Sequence, residues 1–270
     1  MARRTYPRTI RNEVVIAALV IVAVTVQTTL SFPARAIAYG AVDEVHTSAG
    51  AWIGERSDGS IGECSGVLVS AKVFLSAAHC VSYGFGVIPL NRMWVSLATN
   101  FWSDRKSWRA VSSFIVHPDY VFSPYVESNP HDLVAVILAK PVKDIAPAQL
   151  APAGYLDELW AAGTIRTAMF QVVGYGADES GQPTYERRII DAGFQSLQAA
   201  WLKMSVENKA AGACPGDSGG PTYLSQAGAD YLVSIHIGSS ACSQGGMIYD
   251  YRIDAPGAYA FILGAVAATS

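Results

Sequence analysis

Ser218 is the residue of this 270-residue chain whose surroundings most clearly indicate chemistry. A serine hydroxyl is a weak nucleophile, so it needs a base to take its proton and hydrogen-bond donors to hold the oxyanion formed on an attacked carbonyl. Flanking glycines allow a tight turn that brings backbone N–H groups close to such a carbonyl. Taken alone, the stretch is also compatible with a surface turn. It reads Gly212-Ala213-Cys214-Pro215-Gly216-Asp217-Ser218-Gly219-Gly220-Pro221.

Two further segments supply a base and a group to orient it. His79 ends an apolar run and precedes Cys80, and Asp132 opens the apolar run that ends at Leu138. An imidazole held by a carboxylate is a suitable general base for a serine. The chain order is histidine, aspartate, serine. This order argues against an α/β-hydrolase, whose order is serine, acid, histidine, although Ser218 also lies in a Gly-x-Ser-x-Gly pattern.

The three segments resemble the Ala-Ala-His-Cys, Asp-Leu-Ala and Gly-Asp-Ser-Gly-Gly-Pro blocks of the chymotrypsin/trypsin-like serine proteases, over residues 37–262. The resemblance implies an all-β fold of two six-stranded antiparallel Greek-key barrels with a short C-terminal helix. It implies a serine endopeptidase that hydrolyses protein or peptide substrates through His79, Asp132 and Ser218. The backbone N–H groups of Gly216 and Ser218 would form the oxyanion hole. No metal or organic cofactor is needed, while a calcium site, as in some relatives, stays open.

The resemblance also assigns roles to the cysteines and to the start of the mature chain. Four cysteines allow three pairings, and the family pattern implies Cys64 with Cys80 and Cys214 with Cys242. Ile37 occupies the place of the family's mature N-terminus, whose α-amino group pairs with the aspartate before the nucleophile, here Asp217. Because a buried carboxylate is costly without a cation, such a pair would order the oxyanion loop.

Substrate specificity is left open by the residues implied to form the primary pocket. These have no carboxylate for a basic side chain, which favours an uncharged pocket for small or apolar side chains. A second interpretation is a glutamyl-type endopeptidase, because Ile235-His236-Ile237-Gly238 is similar to the Ile-His-x-Gly of those enzymes. A third is a packed strand histidine without substrate contact. The implied pocket residues are Gly212, Ala213, His236, Ile237 and Gly238.

Short apolar runs broken by Gly, Pro, Asn and Ser predict the strands that would position these residues. Residues 37–150 are expected to form an N-terminal barrel with His79 and Asp132, and residues 151–270 a C-terminal barrel with Ser218 and the terminal helix. The segment from Lys140 to Trp160 is predicted as the crossing linker, and Ala258 to Ala267 as the helix. Strand candidates are 66–69, 93–97, 113–116, 168–176, 188–192, 231–235 and 247–249.

The first 36 residues have the plan of a secretory signal peptide: four arginines, an apolar core of 13 residues and Ala34-Arg35-Ala36. Cleavage there would start the mature chain at Ile37 without a separate activation step; a short propeptide and an uncleaved anchor are the alternatives. The mature charge would be −7, because the segment holds five basic residues and one acidic residue. This argues against nucleic acid as a partner. We expect a secreted or periplasmic monomer with no stable membrane span.

Three other histidines are assigned no chemistry. His117 lies in a His-Pro-x-Tyr loop that is structural in the family, His131 is expected at the rim of the site, and His46 is expected to face solvent. A non-catalytic binding protein on the same scaffold is the alternative function. Such a protein would be expected to have lost a residue of the triad, whereas this chain has all three.

Overall fold

Two closed six-stranded antiparallel barrels make up the computed structural model of the chain, which confirms the predicted fold class. The structure describes residue 1 and residues 36–82, 88–123, 125, 130–206, 211–242 and 245–269. The predicted signal peptide, apart from its first and last residues, lies outside the described residues. The described strands are β1 Ala41–Val42, β2 Ala49–Glu55, β3 Ile61–Leu68, β4 Val73–Ser76, β5 Met93–Ser96, β6 Arg109–Val116, β7 Val134–Leu138, β8 Gln149–Leu150, β9 Met169–Gly174, β10 Arg188–Leu197, β11 Trp201–Ser205, β12 Pro221–Gln226, β13 Ala229–Ser239 and β14 Met247–Arg252.

The first barrel closes in the order β2-β3-β4-β7-β6-β5. The second follows the ring β9-β10-β11-β14-β13-β12, because β9 pairs with both β10 and β12. Two short strands attach to the second barrel: β1 pairs with β10, and β8 runs parallel to β13. The N-terminal segment therefore joins the sheet that also carries the serine loop.

Continuous burial explains why the central strands are apolar along their whole length. Every residue of β7, Val134–Leu138, is buried. One large core cluster contains side chains of both barrels, among them Phe74, Val136 and Ile235. A second cluster lies in the second barrel and includes Ile37. Burying a large aliphatic side chain contributes about 1.5–3 kcal/mol to folding, so these strands are stabilised mainly by packing.

Helices are few and short in the described residues. The predicted C-terminal helix is present, with Pro256 in its first turn and with Ala258, Ile262 and Ala265 buried. The predicted linker is more ordered than expected, because it contains a helix whose Leu156 N–H donates to the Asp254 carboxylate. No described helix is long and apolar enough to cross a membrane. The α-helices are Ala36–Tyr39, which contains non-helical residues, Ala78–Ser82, Tyr155–Ala161 and Pro256–Ala267; 3-10 helices are Leu90–Arg92, Arg105–Ser107 and Thr164–Thr167.

The expectation that His46 faces solvent is wrong. The residue is 8% exposed, and its ring stacks on Tyr223 with 4.5 Å between centroids. Its Nδ1 pairs with the Asp43 carboxylate at 3.1 Å. The polar residues around His46 in the chain suggested a solvent-facing loop, but Tyr223 of β12 covers the ring.

Candidate active site

The pairing of β4 with β7 places His79 and Asp132 at the same end of the first barrel. Ser76, the last residue of β4, lies opposite Val134, the first residue of β7. His79 follows β4 in the helix Ala78–Ser82, and Asp132 precedes β7 by two positions. Two residues that are 53 positions apart in the chain thus become neighbours.

One buried carboxylate holds the histidine in two ways. Asp132 is 1% exposed; its Oδ2 lies 2.7 Å from His79 Nδ1, and its Oδ1 accepts the His79 backbone N–H at 2.9 Å. Both contacts restrict the imidazole, and with Nδ1 facing the carboxylate, Nε2 is the ring nitrogen left to take a proton. The His79 side chain is 24% exposed, so solvent or a substrate reaches it.

The Ser218 loop is attached to strand β3 of the first barrel by two hydrogen bonds from Ser65. The Ser65 N–H donates to the Ser218 carbonyl at 2.8 Å, and the Ser65 hydroxyl donates to the Gly216 carbonyl at 2.8 Å. The Sγ atom of Cys80, the neighbour of His79, lies 4.0 Å from the same Ser218 carbonyl. The loop is therefore beside the histidine, and Ser218 itself is partly exposed.

Two disulfide bonds join the segments that carry these residues. Cys64 is bonded to Cys80, and Cys214 to Cys242. The first links β3 to the helix of His79. The second ties the start of the serine loop to the segment after β13.

The backbone of the serine loop leaves two donors available. Within the described residues, the N–H groups of Gly216 and Ser218 donate no hydrogen bond, whereas the N–H groups of Asp217, Gly219 and Gly220 all do. Gly216 has a φ of 97°, a value that L side chains rarely adopt. The two unpaired donors are the ones predicted for an oxyanion hole.

Asp217 is fully buried without a cationic side chain bonded to its carboxylate. Its Oδ1 accepts the Gly176 N–H at 2.8 Å, and its Oδ2 accepts the Cys214 N–H at 2.7 Å. Burial raises the pKa of Asp217 to about 6, although these two hydrogen bonds lower it. Ile37, its predicted partner in the mature chain, is buried in the core cluster that contains Ala213.

The predicted pocket residues lie together but are mostly covered. Gly212, Ala213, His236 and Ile237 are buried, and only Gly238 is partly exposed. The two sides of this region touch, because the hydroxyl of Ser239 donates to the Ala213 carbonyl at 2.7 Å. A cavity of about 520 Å³ lies elsewhere, lined by Leu159, Ile165, Met169 and other residues outside the predicted site.

His236 is 1% exposed and belongs to a buried polar cluster around Asp250. Its Nδ1 lies 3.0 Å from Asp250 Oδ1, while Asp250 Oδ2 accepts the hydroxyl groups of Thr222 and Ser234. The His236 backbone carbonyl accepts the Gly219 N–H at 2.7 Å. The histidine thus supports the serine loop through its main chain.

Ser65 and Asp250 support the site but are not predicted from the sequence as site residues. Ser65 directly follows Cys64, so the disulfide neighbourhood was a signal that this position faces the serine loop. Asp250 directly follows the strand candidate 247–249 and belongs to β14, and a fully buried acid requires partners. The residues near Asp250 in the chain do not indicate that its partners belong to β12 and β13.

Two groups of described residues have donor atoms close enough to suggest a metal ion. In the group of Cys64, His79 and Cys80 both sulfurs are in a disulfide, and a thiolate is the form that binds metals. The other group, His117, Asp119 and His131, is separate from the serine loop in the chain.

Comparison with known proteins identifies related sequences. The Trypsin family model matches residues 41–256. Trypsin from Phaedon cochleariae is 25% identical over 178 residues, which cover 60% of this chain and 64% of that protein. Vitamin K-dependent protein C from Mus musculus is 28% identical over 202 residues, which cover 66% of this chain and 41% of that protein. The chain thus spans less than two thirds of the length of either relative.

Proposed function

Because the chain belongs to the trypsin family, we propose that it is a secreted or periplasmic, monomeric serine endopeptidase that acts through His79, Asp132 and Ser218. The observation that carries the proposal is the double contact of the buried Asp132 carboxylate with the ring and the backbone of His79. A histidine needed only for packing would not require an oriented ring with one nitrogen left accessible. The attachment of the Ser218 loop beside Cys80 supports the same function.

Each residue has a defined step in the proposed reaction. Ser218 attacks the scissile carbonyl while His79 takes its proton and then gives it to the leaving amine. Asp132 stabilises the imidazolium that forms. The Gly216 and Ser218 N–H groups bind the oxyanion, each donor contributing about 3 kcal/mol to the barrier reduction. Water then hydrolyses the acyl-enzyme.

We further propose that signal peptidase activates the enzyme by cutting before Ile37. The buried position of Ile37 and the pKa of Asp217, raised to about 6 by burial, support this proposal. A carboxylate in that position is stabilised by a cation, and the freed α-amino group would supply one. N-terminal sequencing of the exported protein is the test, and a start at Arg35 or earlier would rule the proposal out.

For substrate choice we propose an uncharged, narrow primary pocket. The hydrogen bond from Ser239 to the Ala213 carbonyl supports a narrow pocket, because it joins its two implied sides. The burial of His236 and its pairing with Asp250 favour a structural histidine over the glutamyl-type interpretation. We expect cleavage after small side chains such as alanine.

The experiment that tests the function is cleavage of a diverse peptide library by the exported protein, with Ser218→Ala as control. We expect cleavage only by the parent protein, and labelling of the parent alone by a fluorophosphonate. Cleavage after Glu would support the glutamyl-type alternative. A folded protein starting at Ile37 that cuts nothing and takes no label would favour the non-catalytic scaffold.

A further inference from the structure

A groove made of two adjoining cavities lies on the second barrel, away from the Ser218 loop. The larger cavity, of about 520 Å³, is lined by residues of β9, β12 and the segment before β9. The smaller, of about 430 Å³, is lined by residues of β1, the segment after it and the start of β13. Both linings include Gln171 and Ser225, so the two cavities adjoin. Sites for ligands typically have volumes of about 300–1,000 Å³, so the groove has room for an extended ligand with several side chains.

Apolar side chains line much of this groove. Ile165 and Leu224 are buried in the lining of the larger cavity, where Met169 stays 43% exposed. Val45, in the lining of the smaller cavity, is 74% exposed. Apolar side chains that are open to water on one concave surface are typical of binding sites.

The groove also carries negative charge that no cation balances. Glu44, Asp191 and Asp230 are exposed in its lining, and no described residue that lines either cavity is a lysine or an arginine. Within the described part of the chain, Glu44 and Asp191 have no hydrogen-bond or ion-pair partner, and the Asp230 carboxylate accepts only the Ser225 hydroxyl. Ammonium and guanidinium groups supply the N–H donors that these carboxylates lack.

A buried histidine of the same lining has an unsatisfied nitrogen. His46 is more than nine-tenths buried, its Nδ1 faces the Asp43 carboxylate, and its Nε2 has no hydrogen-bond partner among the described residues. Folded proteins leave few buried polar atoms unpaired, because each one costs free energy. With the Nδ1–H donated to Asp43, Nε2 is an acceptor, and an N–H of a ligand in the smaller cavity would satisfy it. This second observation therefore points to the same ligand chemistry as the carboxylates.

The spacing of these groups suits an organic cation better than a metal ion. His46, Glu44 and Asp230 are not among the described groups whose donor atoms all lie within 4.8 Å of one another. A guanidinium group is planar and carries five N–H donors, so it reaches acceptors that lie apart. The alkyl stem of an arginine or a lysine also packs on apolar surface, which the groove provides.

We propose that this groove binds an extended polypeptide segment in which an arginine or a lysine adjoins apolar residues. The basic side chain lies beside Glu44, Asp230 and His46 in the smaller cavity, and the apolar side chains fill the larger one. A polypeptide is the class of ligand that carries both kinds of group along one flexible chain. The net charge of the protein is negative, which favours its encounter with a basic segment.

Binding is tested by fluorescence anisotropy with a labelled peptide and the exported protein carrying Ser218→Ala, which prevents cleavage. The probe is a heptapeptide with arginine at its centre and leucines on both sides. We expect a Kd on the order of 10 μM. Citrulline has the shape of arginine without its charge, and replacing the arginine with it should weaken binding roughly tenfold. Serine in place of the leucines should weaken binding by at least about tenfold.

The place of binding is tested with the double variant Glu44→Gln and Asp230→Asn. Asparagine keeps an acceptor for the Ser225 hydroxyl, so the urea midpoint should match that of the parent. We expect the Kd of the arginine peptide to rise roughly tenfold and that of the citrulline peptide to stay unchanged. The matched control is Asp104→Asn with Asp119→Asn, which removes two exposed carboxylates from the first barrel and should bind as the parent does.

Three results would overturn the proposal. The first is equal binding of the arginine and citrulline peptides, and the second is an unchanged Kd in the Glu44→Gln and Asp230→Asn variant. The third is an equal loss of affinity in the matched control, which would mean that net charge alone attracts the peptide. A parent without peptidase activity would contradict the proposed function and would leave the outcome of this titration unchanged.

Discussion

At the scale of single residues, the site depends on buried carboxylates whose partners differ. The Asp132 carboxylate is hydrogen-bonded to a histidine ring, and the Asp250 carboxylate to a histidine ring and two hydroxyl groups. The Asp217 carboxylate accepts hydrogen bonds from two backbone N–H groups. Neutral donors compensate a buried charge less completely than a cation does. The burial of Asp217 therefore raises its pKa and favours its protonated form.

Asp217 is expected to make the stability of the uncleaved chain depend on pH. Its folded pKa of about 6 is above the ordinary value of 3.8, so the folded state holds the proton more tightly than the unfolded state does. The resulting stabilisation is complete below pH 3.8 and is lost as the pH rises through 6. Urea unfolding of the full chain carrying Ser218→Ala should show a decrease of roughly 3 kcal/mol across this range.

The control for this prediction is the same chain with Asp217→Asn added. Other groups titrate in the same range, so the difference between the two proteins isolates Asp217. Parallel pH profiles would contradict the prediction. In the form that begins at Ile37, a paired α-ammonium group would lower the pKa of Asp217, and the difference between the two proteins should shrink.

At the scale of elements, the site is held by close approach between β9 and the serine loop. A Cβ on Gly174 would lie 2.1 Å from Asp217 Oδ1, and a Cβ on Gly176 would lie 2.6 Å from Asp217 Cγ. Backbone of one element thus touches the carboxylate of the other directly. The absence of side chains at the end of β9 is a packing requirement.

Gly176→Ala is expected to displace the serine loop. The added methyl group would also lie 2.8 Å from the Asp217 backbone nitrogen, which a rotamer change cannot relieve. Overpacking of this kind costs about 1–3 kcal/mol, and a shift of the nucleophile by about 1 Å lowers kcat/KM by roughly 100-fold. Both effects are measured by urea unfolding and by peptide hydrolysis.

Gly264→Ala is the matched control for this substitution. Gly264 is an exposed residue of the C-terminal helix, and no described atom beyond the backbone of that helix lies within 4 Å of its added Cβ. Because alanine favours helix, the free energy of unfolding should rise by up to about 1 kcal/mol with kcat/KM unchanged. An equal loss of activity in both variants would show that the contact with Asp217 is not the cause.

The strands could be predicted from the sequence because each contains a short run of apolar residues, and these residues are buried in the structure. The candidates at 66–69 and 93–97 overlap β3 and β5, each extending one residue beyond the strand, and the candidate at 231–235 lies in β13. Local patterns did not predict the helix Tyr155–Ala161. Its Leu156 N–H donates to the Asp254 carboxylate, 98 positions away. A prediction that uses only neighbouring residues in the chain cannot detect this stabilising partner. The environment of His46 was misjudged for the same reason.

At the scale of the whole molecule, Arg187 joins the two barrels. It precedes β10 of the second barrel and is 1% exposed. Its guanidinium donates to the carbonyls of Asp43, Ala49 and Leu97, and the last two belong to or adjoin strands of the first barrel. Its charge also lies 3.4 Å from the buried Asp43 carboxylate.

Replacing Arg187 with methionine is expected to destabilise the protein strongly. The change leaves several buried carbonyls without a donor and removes a cation from beside Asp43. Breaking a buried pair from one side costs about 3–5 kcal/mol. Arg109→Met breaks an ion pair with Asp144, whose side chain is 67% exposed, and should cost less than about 1 kcal/mol. Similar urea midpoints for the two variants would contradict the assignment of Arg187 as the residue that joins the barrels.

The placement of the three proposed catalytic residues on two barrels sets an order of events during biosynthesis. A ribosome releases the chain from its N-terminus, so a nascent polypeptide that contains His79 and Asp132 still lacks Ser218. The serine loop in turn needs the His236 carbonyl, which is made later. Under the proposed function, a partly synthesised molecule therefore has no complete set of reacting groups, and the cell that makes it is protected until almost the entire polypeptide has emerged.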